Sequence, residues 1–170
     1  MKDPNKIDLS HLDQYLTNGI RSYFYKDGGN EHYRLLHVLA AGLDLVYDIG
    51  TYKGASAVAL SSAKKVKTFD VQNQIECTLP DNVEYSEKNY LTKSILKADM
   101  IVVDIDHSGE QERKIFDYLV KNEYYGIVVF DDIYFSPAMT KFWNSIDGSK
   151  YRKQDMTNLG HYTGTGVVFL

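Results

Sequence analysis

Leu36, Leu39, Ala40 and Leu43 recur at i, i+3, i+4 and i+7, the spacing that puts one apolar stripe on a helix. A helix is therefore predicted after the turn Lys26-Asp27-Gly28-Gly29-Asn30, with Asn30 as its N-cap and Gly42 at its end. A shorter helix is predicted to open at Asp8-Leu9-Ser10-His11-Leu12. Beyond Gly42 the pattern changes to short runs of β-branched and aromatic residues over 45–49, 66–69, 83–85, 100–103 and 127–130, which read as buried strands. Ile115, Tyr118 and Leu119 lie at helical spacing between the last two runs, and Met139, Phe142, Trp143 and Ile146 repeat that spacing after them. Strands alternating with helices predict parallel βαβ units. The end differs, because 152–156 and 166–170 flank the turn Gly160-His161-Tyr162-Thr163-Gly164 as a terminal antiparallel hairpin would. Only 71–81 joins the second and third runs, and a parallel crossover usually needs a dozen residues or more. The helix there is predicted to be truncated or replaced by a loop.

A chain of 170 residues fits one domain, predicted as N-terminal helices over 1–43 and a core over 44–170. No segment reaches the unbroken apolar length of a membrane span, and the polar start lacks the apolar core of a secretory signal, so a soluble, cytoplasmic protein is expected. Cys77 is the only cysteine, which excludes intramolecular disulfides and multi-thiolate metal sites. A net charge of −4 argues against a broad phosphate-binding surface.

The strongest local signal is Val46-Tyr47-Asp48-Ile49-Gly50-Thr51-Tyr52-Lys53-Gly54-Ala55-Ser56-Ala57, a strand running into a small-residue helix start. Gly50 lets the backbone turn sharply and approach a ligand, while Gly54, Ala55 and Ser56 keep the following helix close. A plain strand-to-helix turn would also use two glycines. Dinucleotide folds carry G-x-G-x-x-G, whereas this chain has D-x-G-x-x-x-G. Two further segments accompany it. Thr68-Phe69-Asp70 ends the next strand with an acid, and Met100-Ile101-Val102-Val103-Asp104-Ile105-Asp106-His107 precedes Ile127-Val128-Val129-Phe130-Asp131-Asp132.

In order and spacing these segments resemble the class I S-adenosylmethionine-dependent methyltransferases, and more narrowly their small-molecule and sugar O-methyltransferases, over about residues 44–135. The resemblance implies a Rossmann-like, mostly parallel α/β sheet with helices on both faces and a C-terminal antiparallel hairpin. It implies S-adenosylmethionine as cofactor, held by Asp48, Gly50, Thr51, Gly54, Ala55 and Ser56, with Asp70 accepting the ribose hydroxyls. An acid in the position of Asp70 also serves NAD sites, so that residue alone does not discriminate. Many relatives place an acid near the adenine after the third strand; here Asn89 is the candidate for that hydrogen bond.

Methyl transfer to a hydroxyl needs a general base or a cation that lowers the hydroxyl's pKa. Metal-dependent relatives hold the cation on carboxylates at the ends of the fourth and fifth strands, which implies Asp104, Asp131 and Asp132 as ligands of Mg²⁺. Alternatively, Asp104 binds the methionine ammonium, as in metal-free relatives, and one of the adjacent pair caps the following helix. The catalytic candidates are Asp104, Asp131, His107 and His161, the last in the terminal turn on the ligand side of the sheet. His37 is expected to be a packing residue, and His11 and His32 surface residues. A small hydroxylated acceptor, such as a sugar, ranks above nucleic acid. The fourth strand lacks the Pro-Pro-aromatic motif of amino-directed DNA enzymes, Cys77 does not follow a proline, and the last strand offers no Glu. An inactive cofactor-binding module is the non-enzymatic alternative. The acceptor's identity and the oligomeric state are not encoded in any motif.

Overall fold

Each predicted strand forms within a residue of its expected limits, because each is a short run of residues that suit burial on a pleated surface. The computed structural model describes residues 3–26, 29–87 and 93–170. Strands β1 (Val46–Ile49), β2 (Val66–Phe69), β3 (Val83–Ser86), β4 (Met100–Val103) and β5 (Ile127–Phe130) are parallel. The terminal hairpin, β6 (Arg152–Asp155) and β7 (Gly166–Phe169), joins the same sheet, with β7 antiparallel to both β5 and β6. The strand order is β3-β2-β1-β4-β5-β7-β6.

Register matters more for function than strand order. Ile49 is level with Phe69 and with Val103, and Val103 with Phe130. The residues that follow are Gly50, Asp70, Asp104 and Asp131, so four residues distant in sequence emerge along one carboxyl edge. The ladder holds them there: Asp104 N–H donates to the Ile49 carbonyl at 2.9 Å and Asp131 N–H to that of Val103 at 3.0 Å.

Alternation along the strands splits the core into two layers. Val46, Met100, Val102 and Val129 pack with the helices α2 (Gly29–Ala40) and α3 (Ala55–Ala59). Tyr47, Ile101, Val103, Val128 and Phe130 pack with α4 (Glu110–Lys121) and α5 (Pro137–Ser145) on the other face. Helices on both faces were expected, and both clusters are closely buried.

Two local expectations are corrected, and one helix appears that was not expected. α2 begins at Gly29, and Asn30 is a residue of its first turn whose N–H donates to the Lys26 carbonyl, so Asn30 is not the N-cap. The segment opening at Asp8 forms a 3₁₀ helix, Ser10–Tyr15, and a further helix, α1 (Asn18–Phe24), follows it. α1 buries Ile20 and Phe24, four residues apart, against α2 and the N-terminal segment. Residues 71–82 contain no helix, in line with the short crossover. Among the described residues no helix is long and apolar enough to cross a membrane.

Candidate functional site

The carboxyl edge opens into a cavity of about 540 Å³, within the range of small-molecule sites. Gly50 forms its floor with φ +105, and a Cβ there would run into the Asp104 carbonyl oxygen, so only glycine lets β1 and β4 approach this closely. Gly54 is also left-handed, at φ +92, but faces away from the cavity. A Cβ on it would meet Cys77 Sγ, with Ile75 and Leu79 close behind, so the missing side chain seats the β2–β3 segment.

Asp48 is fully buried beneath this turn; its Oδ2 accepts from Ser56 Oγ at 3.0 Å and Thr68 Oγ1 at 2.7 Å, and Thr68 shares a hydrogen bond with Thr51. Burial pushes the Asp48 carboxyl up to about 6 against those two hydrogen bonds. Thr51, Ala55 and Ser56 thus belong to a buried layer supporting the turn and do not line the cavity. Asp70 does line it. Its Oδ2 accepts from Tyr52 N–H at 2.7 Å and keeps a further lone pair, while its Oδ1 accepts from Val71 N–H at 2.7 Å and Gln72 N–H at 3.4 Å. The expectation for Asn89 lies outside the described residues.

On the opposite wall three aspartates meet three histidines. Asp132 takes φ 55, breaking the strand alternation so that its carboxylate and that of Asp131 reach the same cavity. Of the four described non-glycine residues with positive φ, Tyr52, His107 and Asp132 line the cavity, a concentration typical of functional sites. The 160–164 turn is tied to the end of β5 by Ile133 N–H to Gly164 and Tyr134 N–H to Thr163, which brings His161 to Asp132. His161 Nδ1 lies 3.0 Å from Asp132 Oδ1, and Thr163 hydrogen-bonds both.

His107 Nε2 stands 3.5 Å from Asp104 Oδ1 and 3.4 Å from Asp132 Oδ2. Its backbone is pinned from both sides, its N–H donating to Glu112 Oε1 at 3.1 Å and its carbonyl accepting from Ser136 Oγ at 3.3 Å. His32, expected at the surface, is instead buried in the site with Nδ1 3.4 Å from Asp131 Oδ1, and Thr165 Oγ1 reaches both. The signal was present: His32 lies four residues before Leu36 and extends the buried stripe of α2 by one turn. Tyr23 and Tyr33 also line the cavity and carried no motif.

The electrostatics separate the carboxylates. Burial, reinforced by Asp131 and Asp132, raises Asp104 well above the usual range. Burial also pushes Asp132 up, but the hydrogen bonds from His161 and Thr163 outweigh it and leave the group below its ordinary value. His161 is the counterpart: burial lowers it, the Asp132 hydrogen bond and the nearby acids raise it, and the net direction is up. Burial lowers His32, so its contact with Asp131 is made by a neutral ring near pH 7. The ligating atoms of Asp131, Asp132 and His161 lie within 4.8 Å of one another. Asp104 is not in that compact group; His107 stands between it and Asp132.

No protein-family profile and no curated protein sequence matches the chain. Solved structures do match it. Methyltransferase PaMTH1 of Podospora anserina, solved with S-adenosylhomocysteine, is similar with a TM-score of 0.63 at 12% identity, over 94% of this chain and 92% of that one. The chain has the fold of the class I methyltransferases. A putative O-methyltransferase from Klebsiella pneumoniae is similar with a TM-score of 0.59 at 14% identity, over 97% and 91%. An rRNA methylase from Streptococcus thermophilus is similar at 0.52 and 16% identity, over 81% and 92%. Methyltransferase folds of this kind thus serve unlike acceptors, and the choice of acceptor must be argued from the cavity.

Proposed function

We propose that the protein binds S-adenosylmethionine in this cavity and transfers its methyl group to a small hydroxylated acceptor such as a sugar. One observation carries the reading: the glycine turn, the acid ending β2 and the Asp–His wall, far apart in sequence, share a single cavity at the carboxyl edge. The residues suit the cofactor. Asp70 offers the remaining lone pair of its Oδ2 to a ribose hydroxyl, and Val71, 87% exposed on the same lining, is apolar surface that a purine ring would cover. Asp104 is placed for the methionine ammonium, which would offset the cost of a carboxylate in this enclosed wall.

Bound S-adenosylmethionine supplies an electrophilic methyl; the protein aligns the acceptor and removes a proton from it. His107 Nε2 is the base in this reading, held by Glu112 and Ser136 and stabilised once protonated by Asp132. Asp131, Asp132 and His161 are a donor set for a divalent cation that would lower the pKa of the acceptor hydroxyl. Including an imidazole favours Mn²⁺ over the Mg²⁺ expected for an all-oxygen set.

Crystals grown with S-adenosylhomocysteine and soaked in Mn²⁺ test both parts. The account expects the nucleoside beside Asp70 and an anomalous peak between Asp131, Asp132 and His161. A nucleoside elsewhere would refute the cofactor site, and a peak-free wall would leave His107 to act without a metal.

A further inference from the structure

We infer that the acceptor entering this cavity carries a protonated amine and no phosphate; the inference rests on the methyltransferase reading and specifies its substrate class. Among the described residues the lining includes the carboxylates of Asp70, Asp104, Asp106, Asp131 and Asp132, and neither a lysine nor an arginine. Phosphate recognition relies on such cations or on free backbone N–H groups at helix N-termini. The described lining offers no such side-chain cation. The nearby Lys53 ammonium lies 5.7 Å from the Tyr52 ring centroid but is engaged by Glu76 Oε1 at 2.8 Å. At the helix starts bordering the cavity, Asn30 N–H donates to the Lys26 carbonyl, and Glu110 and Gln111 N–H groups donate to Ser108 Oγ.

Of the carboxylates on this lining, Asp131 and Asp132 are 6% and 9% exposed. Counter-charge in so enclosed a wall interacts far more strongly than it would in water. An anionic acceptor would add to the repulsion, and an ammonium would relieve it. The aromatic lining points the same way: Tyr23 and Tyr52 are each about half exposed at the cavity, and their ring faces attract a cation. Tyr52 already has the Lys53 ammonium over its ring.

Binding to the full chain saturated with S-adenosylhomocysteine tests this with two matched sets of probes that differ only in charge class. One set is tyramine, tyrosol and 3-(4-hydroxyphenyl)propanoate; the other is glucosamine, glucose and glucose 6-phosphate. Ligand-observed NMR is expected to rank the amine first in at least one set, by about tenfold over the neutral member, with the preference shrinking as salt is added. Gln111→Lys, which puts a cation on the lining, is expected to reduce that preference several-fold. Equal binding across charges, an anion binding tightest, or no amine binding at millimolar concentration in either set overturns the inference. Failure of S-adenosylhomocysteine itself to bind would instead remove the methyltransferase reading, so the two failures are distinguishable.

Discussion

Asp48 sits fully buried on β1 with Oδ2 bonded by Ser56 and Thr68 and Oδ1 without a partner, so ionising it places charge where nothing compensates one of its oxygens. Its folded pKa, about 6, lies above the ordinary 3.8, and the folded chain therefore holds this proton more tightly than the unfolded chain does. The associated stability is complete below pH about 4 and is lost as the pH rises through about 6, a change of about 3 kcal/mol. Asp48→Asn removes the titration while keeping an oxygen for both hydroxyls. Urea unfolding of both proteins at acidic and neutral pH is expected to show wild type losing about 3 kcal/mol relative to the variant as the pH rises. A constant gap would mean Asp48 does not titrate in this way. Gly54 gives a second expectation at this scale. Because it faces Cys77 and not the cavity, Gly54→Leu should cost about 2–5 kcal/mol of stability, from the left-handed backbone and overpacking together. Thermal unfolding beside a cofactor titration checks this; lost affinity with unchanged stability would return Gly54 to the ligand.

At the scale of elements, α5 couples folding to the site through one side chain. Ser136 Oγ caps the helix by accepting Met139 N–H at 3.1 Å and donates to the His107 carbonyl at 3.3 Å. Ser136→Ala should therefore cost about 1 kcal/mol of stability, the usual worth of such a cap, and loosen His107. Hydrogen exchange is the readout: faster exchange at the start of α5 together with residues 107–109 is expected, and an effect confined to α5 would separate the cap from the site. The strands were legible because runs such as Met100-Ile101-Val102-Val103 have few alternatives to burial on both faces of a sheet. α1 was not, since Gly19 and the polar Asn18, Arg21 and Ser22 dilute its pattern, and packing of Ile20 and Phe24 supplies what propensity does not. The start of α2 was misplaced because Asn30 has cap chemistry, whereas Gly29 is already helical and sits where a Cβ would crowd the Tyr23 carbonyl at 2.6 Å.

For the whole molecule, the register of four parallel strands is what converts scattered motifs into one site, and the motifs ending those strands were readable in advance. The wall's partnership was not. His161 reaches Asp132 only because the terminal hairpin folds back beside β5, and His32 reaches Asp131 only because α2 crosses that edge; no spacing in sequence encodes either contact. The same long-range assembly places Asp104 next to His107 and leaves it outside the compact ligating group. The cofactor claim rests on this assembled edge, and calorimetric titration of S-adenosylhomocysteine into wild type and Asp70→Ala tests it most directly. The account predicts one site per chain in wild type, weakened by about 1.5–3 kcal/mol, or roughly 10- to 150-fold, when the Asp70 carboxylate is removed. No binding to wild type, or equal affinity in the two proteins, would contradict it.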